Sequence, residues 1–115
     1  MAAGDSEGVR GPMTRVMGGV EILFDEEGFF INPEEWTEPI AEIMASEMGI
    51  AKLADRQWET IRFLRGFYLE NGRAPLNREF GRLTGFSLLA VERLFPGGIR
   101  GGARRLAGLP NPKSC

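Results

Sequence analysis

One side chain in this sequence carries a thiol: Cys115, the only cysteine and the last residue. It follows Pro110 and Pro112, which lack an N–H donor, hold φ near about −65° and push the residue before them towards an extended backbone. A helix cannot run through residues 109–113, whereas an extended or polyproline-like arm can. The sequence therefore predicts an arm that carries a thiol away from the body of the protein and into another protein's active site.

The composition excludes several kinds of active site. The chain contains no histidine, so it has no Ser-His or Cys-His nucleophile pair and no histidine metal site. One thiol cannot form an internal disulfide, a zinc site or an iron–sulfur site within one chain. We therefore expect no metal, no cofactor and no self-contained hydrolytic catalysis, and a reducing cytoplasm is the expected compartment. No apolar run is long enough to cross a bilayer, and residues 1–19 lack the apolar core of a signal peptide.

The domain organisation follows from length and local pattern. With 115 residues, of which 43% are hydrophobic, the chain has enough apolar side chains for one small domain. Residues 1–19 are glycine-rich and lack periodicity, which predicts a disordered leader. Residues 20–99 are expected to form a β-hairpin and a helical bundle, and residues 100–115 a mobile C-terminal arm. Gly101 and Gly102 would give this arm a flexible root, and the apolar residues Leu106, Ala107 and Leu109 would dock part of it on the body, leaving the tip free. The hairpin would pair Val20–Phe24 with residues 28–31 around an acidic turn.

Helix signals make the predicted fold mostly α. A first helix is expected from residue 33 to about 48, with Asn32 as its cap and Glu35 at the capping-box position. A second helix is expected from Asp55 to about residue 70, ended by Asn71 and Gly72. The predicted core comprises Trp36, Ile40, Ile43, Trp58, Ile61, Phe67, Phe80, Leu83 and Leu94.

Two short helices, at about 77–84 and 87–95, have the spacing of a helix-turn-helix, with Gly85 at the turn. This motif makes a DNA-binding or regulatory protein the alternative function. A recognition helix needs polar groups at its N-terminal end, but residues 87–90 are mostly apolar and Glu92 follows. The net charge of −2 also lacks the broad basic footprint of a duplex-binding protein. We therefore interpret the spacing as helix packing and do not predict direct binding to nucleic acid.

Charge is segregated along the chain. Residues 21–47 contain nine acidic residues and no basic ones, whereas residues 93–115 contain five basic residues and no acidic ones. This pattern fits a solvated surface, and it equally fits a basic arm that docks into an acidic cleft or is steered towards an anionic partner. Arg104, Arg105 and Lys113 are the candidate docking residues. Arg62 and Arg65 lie on the outer side of the second helix, either as a solvated face or as a second docking patch.

Several segments together resemble the DsrC/TusE sulfur-carrier family. Leu-Phe-Pro-Gly-Gly at 94–98 and Leu-Ala-Gly-Leu-Pro-Asn-Pro-Lys-Ser-Cys at 106–115 resemble the family's C-terminal signature. Further matches occur upstream in the family's order, so that the resemblance covers roughly residues 20–115. They are Asp25-Glu26-Glu27-Gly28-Phe29, Trp36-Thr37-Glu38-Pro39, Gln57-Trp58 and Phe67-Tyr68.

The resemblance implies a sulfur carrier that holds sulfane sulfur as a persulfide on Cys115. Such a protein is a sulfurtransferase-like carrier that works with partner proteins rather than a self-contained catalyst. The implied donor is a TusBCD- or DsrEFH-like complex, and the implied acceptor is either a tRNA-thiolating enzyme or a sulfite reductase. The sequence leaves open tRNA 2-thiouridine synthesis, dissimilatory sulfur metabolism and a regulatory role.

Three positions depart from the family pattern. Cys115 is the last residue, whereas the family's terminal cysteine is usually penultimate. Arg104 occupies the position of the second arm cysteine of the DsrC branch, eleven residues before Cys115. Gln57 replaces a histidine that often precedes the family's second tryptophan. The resemblance is therefore to a single-cysteine, TusE-like member, and a disulfide within one arm is impossible for this composition.

Overall fold

The computed structural model describes residues 12–111, and the predicted mostly helical fold with an N-terminal β-hairpin is confirmed. Strands β1 (Met13–Met17) and β2 (Val20–Phe24) form an antiparallel pair in which Met17 faces Val20 and Met13 faces Phe24. The turn between them is Gly18-Gly19, and both glycines have positive φ, 58° and 82°. Such two-residue turns match the twist of a hairpin and require residues that tolerate positive φ.

The main partner of Val20–Phe24 is β1 rather than the predicted residues 28–31. Residues 28–31 pair only with the end of β2, through one bridge between Phe30 and Phe24 and backbone hydrogen bonds from Ile31 N–H to Leu23 O and from Asp25 N–H to Phe29 O. The acidic turn closes on itself instead, because Asp25 Oδ1 accepts hydrogen bonds from the N–H groups of Glu27, at 2.8 Å, and Phe29, at 2.9 Å. This local bonding of an aspartate to its own turn competes with the formation of a second ladder.

The predicted leader, residues 1–19, needs the same correction. Met13–Met17 is a strand, and the Met17 side chain is 3% exposed. Met17, the last residue of the strand, joins the core together with Ile22 and Phe24 of β2, which are also buried. The remainder of the leader prediction, residues 1–11, lies outside the described residues.

The first helix begins later than predicted. Pro33–Glu35 is a single 3₁₀ turn, and helix α1 runs over Glu38–Glu47 with the Thr37 hydroxyl accepting from the Ile40 N–H. Asn32 makes no side-chain cap hydrogen bond. Pro39 explains the break, because a helix continuing from residue 33 would need an N–H at position 39 and space beside the carbonyl four residues earlier.

The later helices follow their sequence signals more closely. Helix α2 covers Asp55–Asn71 and ends at Gly72, whose φ is 73° and whose N–H donates to Tyr68 O. It begins with Ala54 as its N-cap residue rather than Asp55, and Gln57 Oε1 accepts from the Ala54 N–H at 2.8 Å. Helix α3 (Asn77–Thr84) and helix α4 (Leu88–Leu94) form the helix-turn-helix-like pair.

The C-terminal segment differs most from expectation. A π-helical turn covers Ile99–Ala103, and a short helix, α5, covers Arg104–Leu106. The prediction that the mobile arm starts at residue 100 was wrong. Gly102, expected as a flexible root, is buried where a Cβ atom would collide with the Pro96 carbonyl and the Phe95 side chain. Glycine is needed there for close approach of two backbone segments rather than for flexibility.

The core is largely as predicted, with one clear error. Ile40, Ile61 and Phe80 are at most 2% exposed, whereas Leu83 is 51% exposed and lies outside the core. The other predicted core residues are partly buried: Trp36, Ile43, Trp58, Leu94 and Phe67. Within residues 12–111, no helix has the length and apolarity needed to cross a bilayer.

Candidate functional site

The candidate site is the segment that leads to the thiol, residues 99–111, here called the arm root. Cys115 and Lys113 lie outside the described residues, so the structure shows how the arm is held rather than how its tip is placed. Within the arm root, Ala103, Leu106, Ala107 and Leu109 are all 0% exposed. Burying apolar side chains contributes about 25 cal/mol for each Å² removed from water. The arm root is therefore an integral part of the core.

Two side chains from other parts of the chain clamp the arm root. Trp36 Nε1–H donates to Leu106 O at 2.6 Å. Arg65 Nη1 donates to Ala107 O at 3.1 Å, and its Nη2 donates to Pro33 O at 2.8 Å. The Arg65 guanidinium also lies over the Trp36 ring, 4.4 Å from the centroid. Partial burial of this guanidinium lowers its pKa from the ordinary value.

Gly108 makes this clamp possible. Its φ is +75°, and a Cβ atom there would lie 2.5 Å from Trp36 Cδ1. Both the left-handed backbone and the close approach of the indole therefore require glycine. The bend at Gly108 turns the chain so that Leu109 enters the core and residues 110–111 leave it.

The arm root also rests on the acidic turn formed by residues 25–29, here called the Asp25 turn. Arg105 Nε donates to Gly28 O at 3.2 Å. Asn111 Nδ2 donates to Asp25 Oδ2 and to Glu27 Oε1, both at 3.0 Å. Arg100 Nη2 donates to Glu27 Oε1 at 3.3 Å and to Asn111 Oδ1 at 3.1 Å. The basic segment thus docks on the acidic one within a single chain.

The electrostatics of Asp25 reflect this docking. Partial burial of the Asp25 carboxyl raises its pKa, but hydrogen bonds from the Phe29 N–H, the Asn111 amide and the Glu27 N–H outweigh burial. The net pKa lies below the ordinary value, because each donor stabilises the ionised form. Asp25 is therefore a charged acceptor at neutral pH.

Arg104 and Arg105, the predicted docking residues, point to different places. Arg105 lies against the Asp25 turn, whereas Arg104 Nη2 donates to Pro75 O at 3.0 Å. Arg104 lines a cleft of about 410 Å³ beside the point where the chain leaves the body. The cleft is bounded by Tyr68, Gly72, Arg73, Ala74, Pro75, Leu76, Arg104, Leu109, Pro110 and Asn111.

The two arginines considered for a second docking patch also have intramolecular partners. Arg65 belongs to the clamp described above. Arg62 pairs with Glu38 at 3.1 Å and lies over the Trp58 ring, 4.9 Å from its centroid. Neither side chain is a simple solvated charge. Among residues 12–111, the structure holds no group of three or more histidine, cysteine or acidic residues suited to a metal ion.

Comparison with known proteins identifies the family. Residues 16–115 match the family model described as "DsrC like protein". The chain belongs to the DsrC-like family. The match runs through the arm root and includes Cys115, and it covers the hairpin strand β2 as well.

Curated relatives of this DsrC-like protein come from two branches of sulfur metabolism. The "Sulfurtransferase TusE" of Escherichia coli O6:H1 is 39% identical over 108 residues, covering 87% of this chain and 97% of the relative. The "Sulfite reductase, dissimilatory-type subunit gamma" of Nitratidesulfovibrio vulgaris is 37% identical over 97 residues, covering 84% and 92%.

Solved structures show the same fold. The oxidised gamma-subunit of the dissimilatory sulfite reductase, DsrC, from Archaeoglobus fulgidus matches with a TM-score of 0.79 and 31% identity, covering 90% of this chain and 99% of that one. The DsrC/gamma subunit from Pyrobaculum aerophilum matches with a TM-score of 0.77 and 35% identity, covering 95% and 99%.

Sequence reasoning missed part of the site of this DsrC-like protein. Trp36 and Arg65 were assigned to the core stripe and to the outer face of a helix, and Asn111 was only a residue between two prolines. The segregation of acidic and basic residues was the one usable signal, because it indicated docking of the basic C-terminal segment. The charge pattern could not show that the docking surface lies in the same molecule.

Proposed function

We propose that this protein is a sulfur carrier that accepts sulfane sulfur on Cys115 and passes it to a second protein. The observation that supports this most strongly is the family match, which runs to residue 115 and includes the only cysteine. The names of the relatives, a sulfurtransferase and a sulfite reductase subunit, place their own functions in sulfur metabolism. The rigid arm root supports the proposal as well, because it presents a short terminal segment on a fixed base.

The transfer step is an exchange between a thiolate and a persulfide. The Cys115 thiolate attacks the outer sulfur of a donor cysteine persulfide, and the new S–S bond forms as the donor's S–S bond breaks. The donor cysteine leaves as a thiolate with the electron pair, and the proton stays with the transferred sulfur. No electrons are gained or lost overall, so the step needs no cofactor. Delivery is the same exchange with the acceptor's thiolate as the nucleophile.

The single cysteine favours the TusE-like form of this chemistry. Arg104 stands at the position of the second arm cysteine of the DsrC branch, so a sulfur atom cannot be bridged between two cysteines of one arm. The proposed partners are a persulfide donor complex and a tRNA-thiolating enzyme, with a sulfite reductase as the other acceptor. Arg104, Arg105 and Lys113 are proposed as docking residues for these partners, with Arg104 at the cleft and Arg105 at the Asp25 turn.

The DNA-binding alternative gains no support. At the start of helix α4, the Ser87 hydroxyl accepts from the Ala90 N–H, so it serves as a helix cap. The relatives described above carry names from sulfur metabolism.

Sulfur loading tests the proposal directly. Purified protein is incubated with glutathione persulfide carrying radiolabelled sulfane sulfur and analysed by intact-mass spectrometry. The wild type should gain one sulfur atom at Cys115, and Cys115→Ser should fold normally and gain none. Equal labelling of the two proteins would contradict the carrier function.

Complementation separates the proposed acceptors. In an Escherichia coli strain that lacks its own TusE, the wild-type chain should restore 2-thiouridine in tRNA and Cys115→Ser should not. A wild-type chain that loads sulfur in vitro but restores no 2-thiouridine would favour the dissimilatory branch.

A further inference from the structure

We propose that Asn111 is a positioning residue for sulfur transfer. Its amide ties the end of the arm root to the Asp25 turn and fixes the point from which the last four residues, 112–115, carry Cys115. This inference rests on the proposed function and adds a residue to it.

The hydrogen bonds of Asn111 use both ends of its amide. The Nδ2 nitrogen, with two N–H donors, lies 3.0 Å from a carboxylate oxygen of Asp25 and 3.0 Å from one of Glu27. The Oδ1 oxygen accepts from Arg100 Nη2 at 3.1 Å. A carboxamide is suited to this place, because it donates to two anions and accepts from a cation at once. An aspartate would repel both carboxylates, and a lysine could not accept from the guanidinium.

The groups that bind the Asn111 amide are held in place by contacts that do not involve Asn111. Asp25 Oδ1 already accepts from the N–H groups of its own turn, which leaves Oδ2 directed to Asn111. Arg100 is held by Glu27 at 3.3 Å and by the Phe29 ring, whose centroid lies 5.3 Å from the guanidinium carbon. We call the set of hydrogen bonds made by the Asn111 amide the latch. When the latch forms, one side chain becomes ordered against groups that are already in place. The entropic cost of forming the latch is correspondingly low.

The latch sets how far the thiol can travel. A chain spans at most about 3.6 Å per residue, so four residues place Cys115 within about 14 Å of the Asn111 Cα. When the latch opens, the next fixed residue is the fully buried Leu109. Six residues then give a radius of about 21 Å and about three times the accessible volume.

Cys115 supplies the probe for this proposal, because a nitroxide reagent labels the only cysteine without other changes. Paramagnetic broadening of backbone amide signals in the Asp25 turn measures how closely the label stays to the latch. In Asn111→Asp, a variant of nearly the same shape, the broadening should fall by at least about twofold, as the larger volume requires. Arg100→Gln, which keeps Asn111 but removes its cationic partner, should reduce it less.

A charge swap provides the rescue. In the double variant Asp25→Asn with Asn111→Asp, the amide and the carboxylate exchange places. The amide then at position 25 can still accept from its turn while it donates to the carboxylate at position 111, which removes one of the two repulsions while that of Glu27 remains. The broadening should therefore return part of the way to the wild-type value. Asn71→Ala is the matched control, because the Asn71 side chain donates to Phe67 O at 2.9 Å, within its own helix, and its loss should leave the broadening unchanged.

Two results would overturn the latch: Asn111→Asp with wild-type broadening, or a double variant no closer to wild type than the single one. Sulfur loading keeps this test separate from that of the carrier function. Wild-type protein and the Asn71→Ala control should load from glutathione persulfide at the same rate, because Asn71 lies outside the arm root and the Asp25 turn. A wild-type protein that never loads would refute the carrier function and leave the latch measurement intact.

Discussion

The arm root and the α3–α4 pair are neighbouring parts of one small domain, yet they carry very different amounts of its core. The arm root contains three regular helical residues in α5, and Ala103, Leu106, Ala107 and Leu109 are all fully buried. Helices α3 and α4 together contain fifteen residues (eight and seven) and bury one hydrophobic side chain each, Phe80 and Val91.

This difference shows that the amount of regular secondary structure in a segment does not measure its contribution to the core. Stability follows the apolar area removed from water rather than helix length. The arm root also receives hydrogen bonds from Trp36 and Arg65, which lie far away in sequence. Fully buried side chains therefore lie directly before the last residues of the chain, while the pair that resembles a DNA-binding motif contributes little to the core.

The largest expected effect comes from truncating one leucine in each region. Leu106→Ala should lower the free energy of unfolding by about 2–5 kcal/mol, because it opens a cavity at a fully buried position. Leu89→Ala, at a position that is 59% exposed, should change it by no more than about 0.5 kcal/mol. Urea titration followed by tryptophan fluorescence measures both. Similar losses in the two variants would remove the contrast between the regions.

Alanine substitutions at two glycines, one in the arm root and one outside it, are expected to have the second-largest effect. Gly108 and Gly72 have nearly the same φ, 75° and 73°, but a Cβ atom meets the Trp36 ring only at Gly108 and nothing within 4 Å at Gly72. Both alanine variants bear the cost of left-handed backbone, about 1–2 kcal/mol. Gly108→Ala should be worse by a further 1–3 kcal/mol or so, because the clamp is overpacked. Equal losses of unfolding free energy would show that the indole moves aside freely.

A third pair of variants isolates one hydrogen bond of the clamp. Trp36→Phe keeps an aromatic ring but removes the donor to Leu106 O, and we expect it to cost about 1 kcal/mol more than Trp58→Phe. Trp58 is a suitable control because it is also half-buried and also lies beneath an arginine, Arg62. Thermal unfolding followed by circular dichroism measures the difference. A Trp58 variant that is equally or more destabilised would exclude a special role for the Trp36 donor.

The smallest expected effect concerns the pH dependence at the Asp25 turn. The pKa of Asp25 lies below its ordinary value, so its contribution to stability is present above the unfolded pKa of about 3.9 and is lost as the pH falls through the lower, folded pKa. Asn111→Ala removes one donor to the ionised form and should raise the pKa of Asp25. Carboxyl carbon chemical shifts followed by NMR titration measure it. An unchanged or lowered pKa would mean that Asn111 does not hold Asp25 in solution.

The sequence predicted those elements whose limits are set by interactions between neighbouring residues. The Asn71-Gly72 ending of α2 was found because a left-handed glycine cap is set by neighbouring residues. The start of α1 was misplaced because two local signals competed, the cap at Asn32 and the break imposed by Pro39. The steric restriction imposed by Pro39 determined where the helix begins.

The detailed structure of the arm root and the latch could not be predicted in this way. Gly101 and Gly102 suggested a flexible root, whereas the expected docking of Leu106, Ala107 and Leu109 on the body is confirmed by their burial. Their burial depends on Trp36, brought there by the fold from 70 residues away. The partner of Asn111, Asp25, is 86 residues away, and no local pattern joins them. Such contacts are specified by tertiary packing.

The anchoring of Asn111 would affect the rate at which the Cys115 thiol meets a partner cysteine. Four residues span at most about 14 Å, so an Asn111 anchored as proposed would keep Cys115 within a hemisphere of that radius, or roughly 6 nm³. One molecule in that volume corresponds to a local concentration on the order of 0.3 M. A partner cysteine held at the docking face would therefore meet the thiol as if it were a concentrated reagent, whereas a cysteine recessed beyond that radius would not meet it at all. In the proposed carrier function, the four-residue separation between Asn111 and Cys115 would thus limit which acceptor cysteines can react.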